Sequence, residues 1–355
     1  MTKLKNSHKK DCFIIGARPT VIKFAPLIKK LNPFVLHTGQ HRELANDMYK
    51  IFGIKPDIDL DLMKHNQTLT DFIVRSVSKL KEVFAECDFK RVWVHGDTSS
   101  ALVGAWTACF NKITLIHNEA GLRTYDKENP YPEEIFRTSI DTMADYMFAP
   151  TESAYRNLLA ENVSGKVFIT GNTVVDALGM IKPKLPKKKA RDDDYVLATV
   201  HRREAFGEPM RGIFEAIAEI SKKIKVIFPI HPNPSVRKVA NEVGLETVEP
   251  MDYMTFLWYM RDAYFIMTDS GGVQEEAPSL KTPVLVLRKC TERPEAVWQG
   301  SNKIIGWDKK RIVKEAMELL NNEKEYQKMI PDDNPYGDGC ASDKIIEIMK
   351  NEGIY

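Results

Sequence analysis

The chain has 355 residues, about twice the usual size of a domain, so two domains with separate cores are expected. Hydrophobic residues make up 43% and charged residues 28%, the balance of a soluble globular protein rather than a disordered or membrane-embedded one. Lys and Arg number 51 against 49 Asp and Glu, a formal net charge of +2, which excludes a general nucleic-acid-binding field; any bound anion must be held locally.

The basic start MTKLKNSHKK precedes an apolar run of only Phe13-Ile14-Ile15, too short for a secretion signal or a membrane span. The reading is a cytoplasmic protein with a frayed basic tail and no membrane contact. Cys12, Cys87, Cys109, Cys290 and Cys340 are odd in number and form no CxxC pair, so they are expected as buried reduced thiols.

Short β-rich runs then alternate with longer helical patterns, the signature of parallel α/β units. Strands are predicted over residues 12–16, 34–37, 92–95, 114–117, 146–149 and 167–170, with helices at 21–31, 70–85 and 98–110 among those between them. Residues 182–194 carry two prolines, a lysine block answered by an aspartate block, and no apolar period, and so read as an interdomain linker. The pattern restarts with strands at 195–200, 226–230, 264–268 and 284–287 and helices near 209–223, 235–243 and 272–280. Two last helices, 309–320 and 341–349, have no strand after them.

Candidate chemistry falls where strands end, the edge at which open α/β sheets place ligands. Gly16-Ala-Arg-Pro-Thr20 follows the first strand: Gly16 allows a tight turn, Pro19 starts a helix, and the Arg18 guanidinium suits a phosphate. Thr268-Asp-Ser-Gly-Gly-Val-Gln-Glu-Glu276 joins a strand, an Asp-Ser cap, two glycines and a helix, which makes an anion site of free backbone N–H groups. The helix dipole adds only about 0.3–1 kcal/mol at an exposed end, so hydrogen bonds at Ser270, Gly271 and Gly272 must carry most of the binding. Glu276, one turn further in, can accept from a ribose diol. No GxGxxG or GxxxxGKS/T pattern is present, so neither NAD nor ATP is indicated.

Acid/base groups recur in four places: His95-Gly-Asp97, His117-Asn-Glu119, Pro130-Tyr-Pro-Glu133-Glu134 and His201-Arg-Arg-Glu204. Carboxylates on exposed, rigid strand ends are costly unless used or paired. His37 and His41 are four apart but flank Thr38-Gly39-Gln40, a turn and not one helical face, so no metal site is expected.

Taken in order with Thr38-Gly-Gln-His-Arg42, Thr170-Gly-Asn-Thr173, His231-Pro-Asn-Pro234, Thr291-Glu-Arg-Pro-Glu295 and Asn334-Pro-Tyr-Gly-Asp-Gly339, these motifs resemble the non-hydrolysing UDP-N-acetylglucosamine 2-epimerases from about Phe13 to Asn351. The resemblance implies an α/β fold of two Rossmann-like domains with parallel sheets in the glycosyltransferase-B arrangement, with a ligand cleft between them. The domains would span 1–181 and 195–340, joined by 182–194, with the helix at 341–355 packing back on the first. It further implies that Arg18, Ser270, Gly271 and Gly272 hold a diphosphate, Glu276 the ribose and Phe256 the uracil, with His231 lining the same site. Lys23, Asp97, Glu119, Glu133 and His201 match the catalytic positions.

The implied isomerase inverts C2 of the UDP-sugar by eliminating UDP to 2-acetamidoglucal and adding it back, giving UDP-N-acetylmannosamine, with no redox cofactor. The base should have a raised pKa, supplied by burial among like charges when the domains close. Thr20 and Asn118 depart from the family pattern, and Gly-Ala-Arg-Pro also occurs in epimerases of UDP-diacetamido-uronic sugars. A retaining UDP-sugar glycosyltransferase and a non-catalytic UDP-sugar sensor are the rival readings. The family also implies a homodimer, a role in cell-surface polysaccharide precursor biosynthesis, and activation by a second UDP-N-acetylglucosamine, to which residues 40–43 and Arg203 would contribute.

Overall fold

The computed structural model describes residues 8–40, 42–187 and 194–355, so the extreme basic tail, His41 and the middle of the expected linker lie outside the described residues. The side chains of Arg42, Glu43, Leu44 and Arg203 lie outside them too. The chain divides into two compact units, Met1–Met180 with Gly337–Tyr355, and Ile181–Tyr336.

In the first unit the chain runs β1 (Asp11–Ile15), α1 (Arg18–Leu31), β2 (Phe34–His37), α2 (Arg42–Phe52), β3 (Ile58–Asp59), α3 (Leu69–Glu86), β4 (Arg91–His95) and α4 (Ser99–Phe110). It continues through β5 (Thr114–Asn118), α5 (Glu133–Met143), β6 (Tyr146–Ala149), α6 (Glu152–Ala160), β7 (Lys166–Ile169) and α7 (Thr173–Ile181). Its seven strands are parallel, in the order β3-β2-β1-β4-β5-β6-β7. The central strands are buried along nearly their whole length, as a sheet covered by helices on both faces requires. Phe13 packs on Phe24 and Trp93 with ring centroids 4.7 and 4.9 Å apart.

The second unit runs β8 (Tyr195–Thr199), α8 (Glu208–Ile220), β9 (Lys225–Ile227), α9 (Pro234–Val243), α10 (Tyr253–Asp262), β10 (Ile266–Thr268), α11 (Gly271–Leu280) and β11 (Val284–Val286). After these come α12 (Glu295–Gln299), β12 (Asn302–Ile304), α13 (Lys309–Asn321) and α14 (Glu323–Lys328). Its five parallel strands are ordered β12-β11-β10-β8-β9.

The last helix, α15 (Ala341–Asn351), belongs to the first unit. Asp176 of α7 secures its start, accepting from the Ala341 and Ser342 N–H groups at 3.1 and 2.8 Å and from the Ser342 hydroxyl at 2.6 Å. An acidic acceptor at a helix N-terminus also meets the favourable end of the dipole. Farther on, Arg91 donates to the Ile354 carbonyl at 2.9 Å.

The edge strands β3 and β12 were not predicted, because two and three residues carry no readable period. The acid/base segment Pro130-Tyr-Pro-Glu133-Glu134 opens helix α5, with Pro132 as its N-cap. The cysteines are all free, but only Cys12 is buried and Cys340 is exposed.

Candidate active site

Both sheets reverse their strand order at one place, between β1 and β4 in the first unit and between β8 and β10 in the second. In doubly wound sheets the crevice beyond the strand ends at such a reversal is where ligands bind. Arg18 follows β1, Asp97 follows β4, His201 follows β8 and Ser270 follows β10, so four candidate residues flank the two switch points.

In the first unit Glu119 leaves β5 with φ of 64°, the left-handed region that an ordinary side chain occupies at a cost of about 1–3 kcal/mol. Its carboxylate is buried, with 8% of the residue exposed. Oε2 accepts from the Lys23 ammonium of α1 and from the Asn172 amide, the latter at 2.6 Å, and His95 Nε2 lies 3.7 Å away. Lys23 is itself only 4% exposed. A buried cation and carboxylate tolerate each other because each offsets the other's desolvation.

Asp97 is paired with Arg137 of α5, which also lies 3.4 Å from Glu134. Glu134 accepts from the Thr124 and Tyr125 N–H groups at 2.9 and 2.8 Å, fixing the loop before α5. Glu133 stands half-buried in the first turn of that helix.

Beneath these groups lies a wholly buried pair. His117 Nδ1 meets Asp141 at 2.6 Å and His117 Nε2 meets the Gly96 carbonyl at 2.8 Å. Asp141 also faces Arg123 at 2.7 Å and accepts from the Gly121 N–H at 3.2 Å. Burial alone would push the Asp141 carboxyl up, but His117 and Arg123 together hold it below the usual carboxylate value. The strand ends that carry Asp97 and Glu119 are thus tied together from below.

Gly16 is required by a close approach, since a Cβ there would sit 2.1 Å from Ser100 Oγ. Arg18 opens α1 half-buried, with no hydrogen-bond or ion-pair partner among the described residues.

In the second unit Asp269 serves the neighbouring strand instead of capping its own helix. Its carboxylate accepts from the His201 and Arg202 N–H groups at 2.8 and 2.7 Å, and Ser270 makes no side-chain cap to α11. The expected Asp-Ser cap is therefore absent, and the Asp instead shapes the loop after β8. His201 stacks on His231 with centroids 5.4 Å apart.

A Cβ at Gly271 would sit 2.7 Å from Arg293 Nη1, whereas one at Gly272 meets nothing within 4 Å. Arg293 is buried, bonded to Glu275 at 2.6 Å and paired with Glu292. Glu276 is buried as well and accepts from the Tyr253 hydroxyl at 2.7 Å. Phe256 is half-buried on α10, whose first turn Asp252 caps.

Lys23, Glu119 and Asp97 therefore stand among the strand ends of the first unit, with Glu133 opening α5. His201, His231, Ser270, Gly271, Gly272, Glu276 and Phe256 lie in the second. The expectation of exposed strand-end carboxylates fails for Glu119. Within the first unit the charged partners of these carboxylates are cations, Lys23 at Glu119 and Arg137 at Asp97. Arg137 and Tyr253 were missed, and Asn172 and His95 were quoted only within motifs. Tyr253 and Arg137 are one helical turn from Phe256 and Glu134, the only sequence signal available for them. Among the described residues no three metal-ligating side chains gather, and no helix is long and apolar enough to cross a membrane.

A family profile described as UDP-N-acetylglucosamine 2-epimerase matches residues 28–350. The chain is 43% identical to the UDP-N-acetylglucosamine 2-epimerase of Escherichia coli K12, over 96% of this chain and 98% of that protein. Its fold is similar to the UDP-GlcNAc 2-epimerase of Neisseria meningitidis bound to UDP-GlcNAc, with a TM-score of 0.92 and 38% identity over 96% and 99% of the two chains. It is also similar to the Methanocaldococcus jannaschii epimerase in complex with UDP-GlcNAc and UDP, with a TM-score of 0.84 and 34% identity over 96% and 99%. Two parallel sheets in the glycosyltransferase-B class, a profile match over residues 28–350 and relatives near 40% identity agree: the chain belongs to the UDP-N-acetylglucosamine 2-epimerase family, a family of isomerases.

Proposed function

We propose that this chain interconverts UDP-N-acetylglucosamine and UDP-N-acetylmannosamine by eliminating UDP and adding it back. In the first step a base takes the C2 proton while the C1–O bond breaks, and UDP leaves with the bonding electrons, giving 2-acetamidoglucal. In the second, a UDP oxygen bonds to C1 and a proton reaches the opposite face of C2. Every atom returns, so no redox cofactor is required.

The observation that carries this reading is the buried Glu119, held in left-handed backbone and gripped by Lys23 and Asn172. A carboxylate kept at such cost is the mark of a working group. Lys23, Asp97, Glu133 and His201 complete the acid/base set in this reading. Arg18, unpaired among the described residues, and the N–H groups of Ser270, Gly271 and Gly272 take the departing diphosphate, whose developing charge is the main electrostatic demand of the first step. Glu276, already aligned by Tyr253, takes the ribose; Phe256 takes the uracil, and His231 lines the nucleotide.

The reading extends to a cytoplasmic homodimer that supplies precursors for cell-surface polysaccharide. A second UDP-N-acetylglucosamine would act as activator, in keeping with the Methanocaldococcus jannaschii relative in complex with UDP-GlcNAc and UDP. The test is NMR of UDP-N-acetylglucosamine incubated with pure protein in D₂O. The manno epimer should form with deuterium at C2, because the abstracted proton rests on a side chain that exchanges with solvent. Epimer with protium fully retained at C2 would rule out the elimination route.

A further inference from the structure

We infer that Asn172 is the positioning residue of Glu119, fixing which way the carboxylate faces during proton transfer; this rests on the epimerase reading above. Asn172 lies between β7 and α7 and is 3% exposed. Its two amide atoms do different work. Nδ2 donates to Glu119 Oε2 at 2.6 Å, and Oδ1 accepts from the Val174 N–H at 3.0 Å, closing the turn into α7.

The turn has little freedom to drift. Gly171 before it has φ of 88°, and the returning chain at Gly337 lies against it, where a Cβ would stand in ordinary van der Waals contact, 3.5 Å from Asn172 N and from Gly171 Cα. One helical turn on, Asp176 is bonded to the start of α15. The Asn172 amide is therefore presented to Glu119 from a turn that its own Oδ1 closes and that Asp176 ties to α15.

Lys23 alone does not define the orientation of the carboxylate. An ammonium is a point charge with rotatable donors, whereas an amide N–H is directional. Together Lys23 and Asn172 hold Oε2 from two elements 149 residues apart in the chain, α1 and the β7–α7 turn. The carboxylate plane is then set by the protein rather than by the substrate, which is the preorganisation that proton transfer from carbon needs.

The two functions of Asn172 can be separated by Asn172→Asp. Aspartate keeps the acceptor that Val174 needs but loses the N–H donor to Glu119. A hydrogen bond to a charged group accounts for about 1.5–3 kcal/mol, about 10–150-fold in rate if it is made in the transition state. The full chain and the variant are compared for epimerisation kinetics, UDP binding, melting temperature and pH profile.

The inference expects kcat to fall at least about tenfold in Asn172→Asp, with KM and UDP affinity within about twofold; the melting temperature should fall at neutral pH, where two buried carboxylates face each other, and recover as pH falls. Activity relative to the parent should recover partly at lower pH, where the introduced carboxyl group is protonated and regains a donor. Asn172→Ala, which loses both atoms, should lower kcat and melting temperature together. Parent-like kcat in Asn172→Asp, or an equal loss of kcat and of melting temperature at every pH, overturns the positioning role. A parent chain that forms no epimer overturns the functional reading instead, and this inference falls with it.

Discussion

Replacing Asp141 by Asn tests whether the buried pair beneath the strand ends holds the site together. Asp141 is fully buried and accepts from His117, Arg123 and the Gly121 N–H. Removing one member of a buried ion pair usually costs about 3–5 kcal/mol, because a charge is left without its partner. Here Arg123 keeps Glu161, bonded through Nε and Nη2 at 2.7 and 2.6 Å, so the low end, about 3 kcal/mol, is expected. For a unit of this size that is a fall of roughly 6–12 °C in melting temperature.

The pH dependence has a definite sign. The folded Asp141 value is depressed, so its stabilisation is fully present above the ordinary carboxylate pKa of about 4 and is lost as pH falls through the lowered folded value. The gap between parent and Asp141→Asn should therefore be constant at neutral pH and close in acid. His117, Arg123 and Glu161 are the charged or titratable groups facing the pair. Unfolding by denaturant at several pH values, with hydrogen exchange at β4 and β5 to identify the first unit, measures it. A loss below about 1 kcal/mol, or a gap that persists unchanged at pH 2, would refute the reasoning.

Three further outcomes follow from the site. Glu119→Gln should bind UDP almost as the parent does yet turn over at least about 10²-fold more slowly, the lower scale for a lost acid/base group; retained turnover would return Glu119 to a purely structural role. Arg18→Ala should weaken UDP binding by calorimetry and Arg18→Lys should rescue little, since an ammonium cannot reproduce a forked contact with diphosphate; equal affinity in Arg18→Ala removes Arg18 from the site. Gly271→Ala should cost about 1–3 kcal/mol and lower UDP affinity by displacing Arg293, while Gly272→Ala, with open space at its Cβ, should fold as the parent does; equal unfolding curves for the two would contradict the packing described.

The strand ends were legible in the sequence because apolar β-rich runs stop abruptly at polar residues, as at His95-Gly-Asp97 and Thr268-Asp-Ser270. Strand order was not, since β1 finds β4 across more than 70 residues and no local pattern encodes that pairing. The partners of the site residues were hidden for the same reason. Lys23 reaches Glu119 from 96 positions away and Asn172 from 53, separations at which sequence carries no contact information. Asp269 shows the opposite failure: its local setting before a helix reads as a cap, and tertiary structure gives it to the loop after β8 instead.

Glu119 explains why a residue one strand beyond the switch point can share the neighbourhood of Asp97. It follows β5, whereas the order of the first sheet turns between β1 and β4. The Gly96 N–H donates to the Asn118 carbonyl at 3.0 Å and His117 meets the Gly96 carbonyl, so the two strand ends are knitted together past the regular ladder. The left-handed turn at Glu119 then directs its carboxylate toward Gly96, where a Cβ would lie 3.5 Å from Oε1, and toward Lys23 on α1. An extended residue at this position would continue the line of β5 and leave the Lys23 ammonium buried without its carboxylate. The backbone cost at one residue is thus offset by a pairing that the sheet alone could not make.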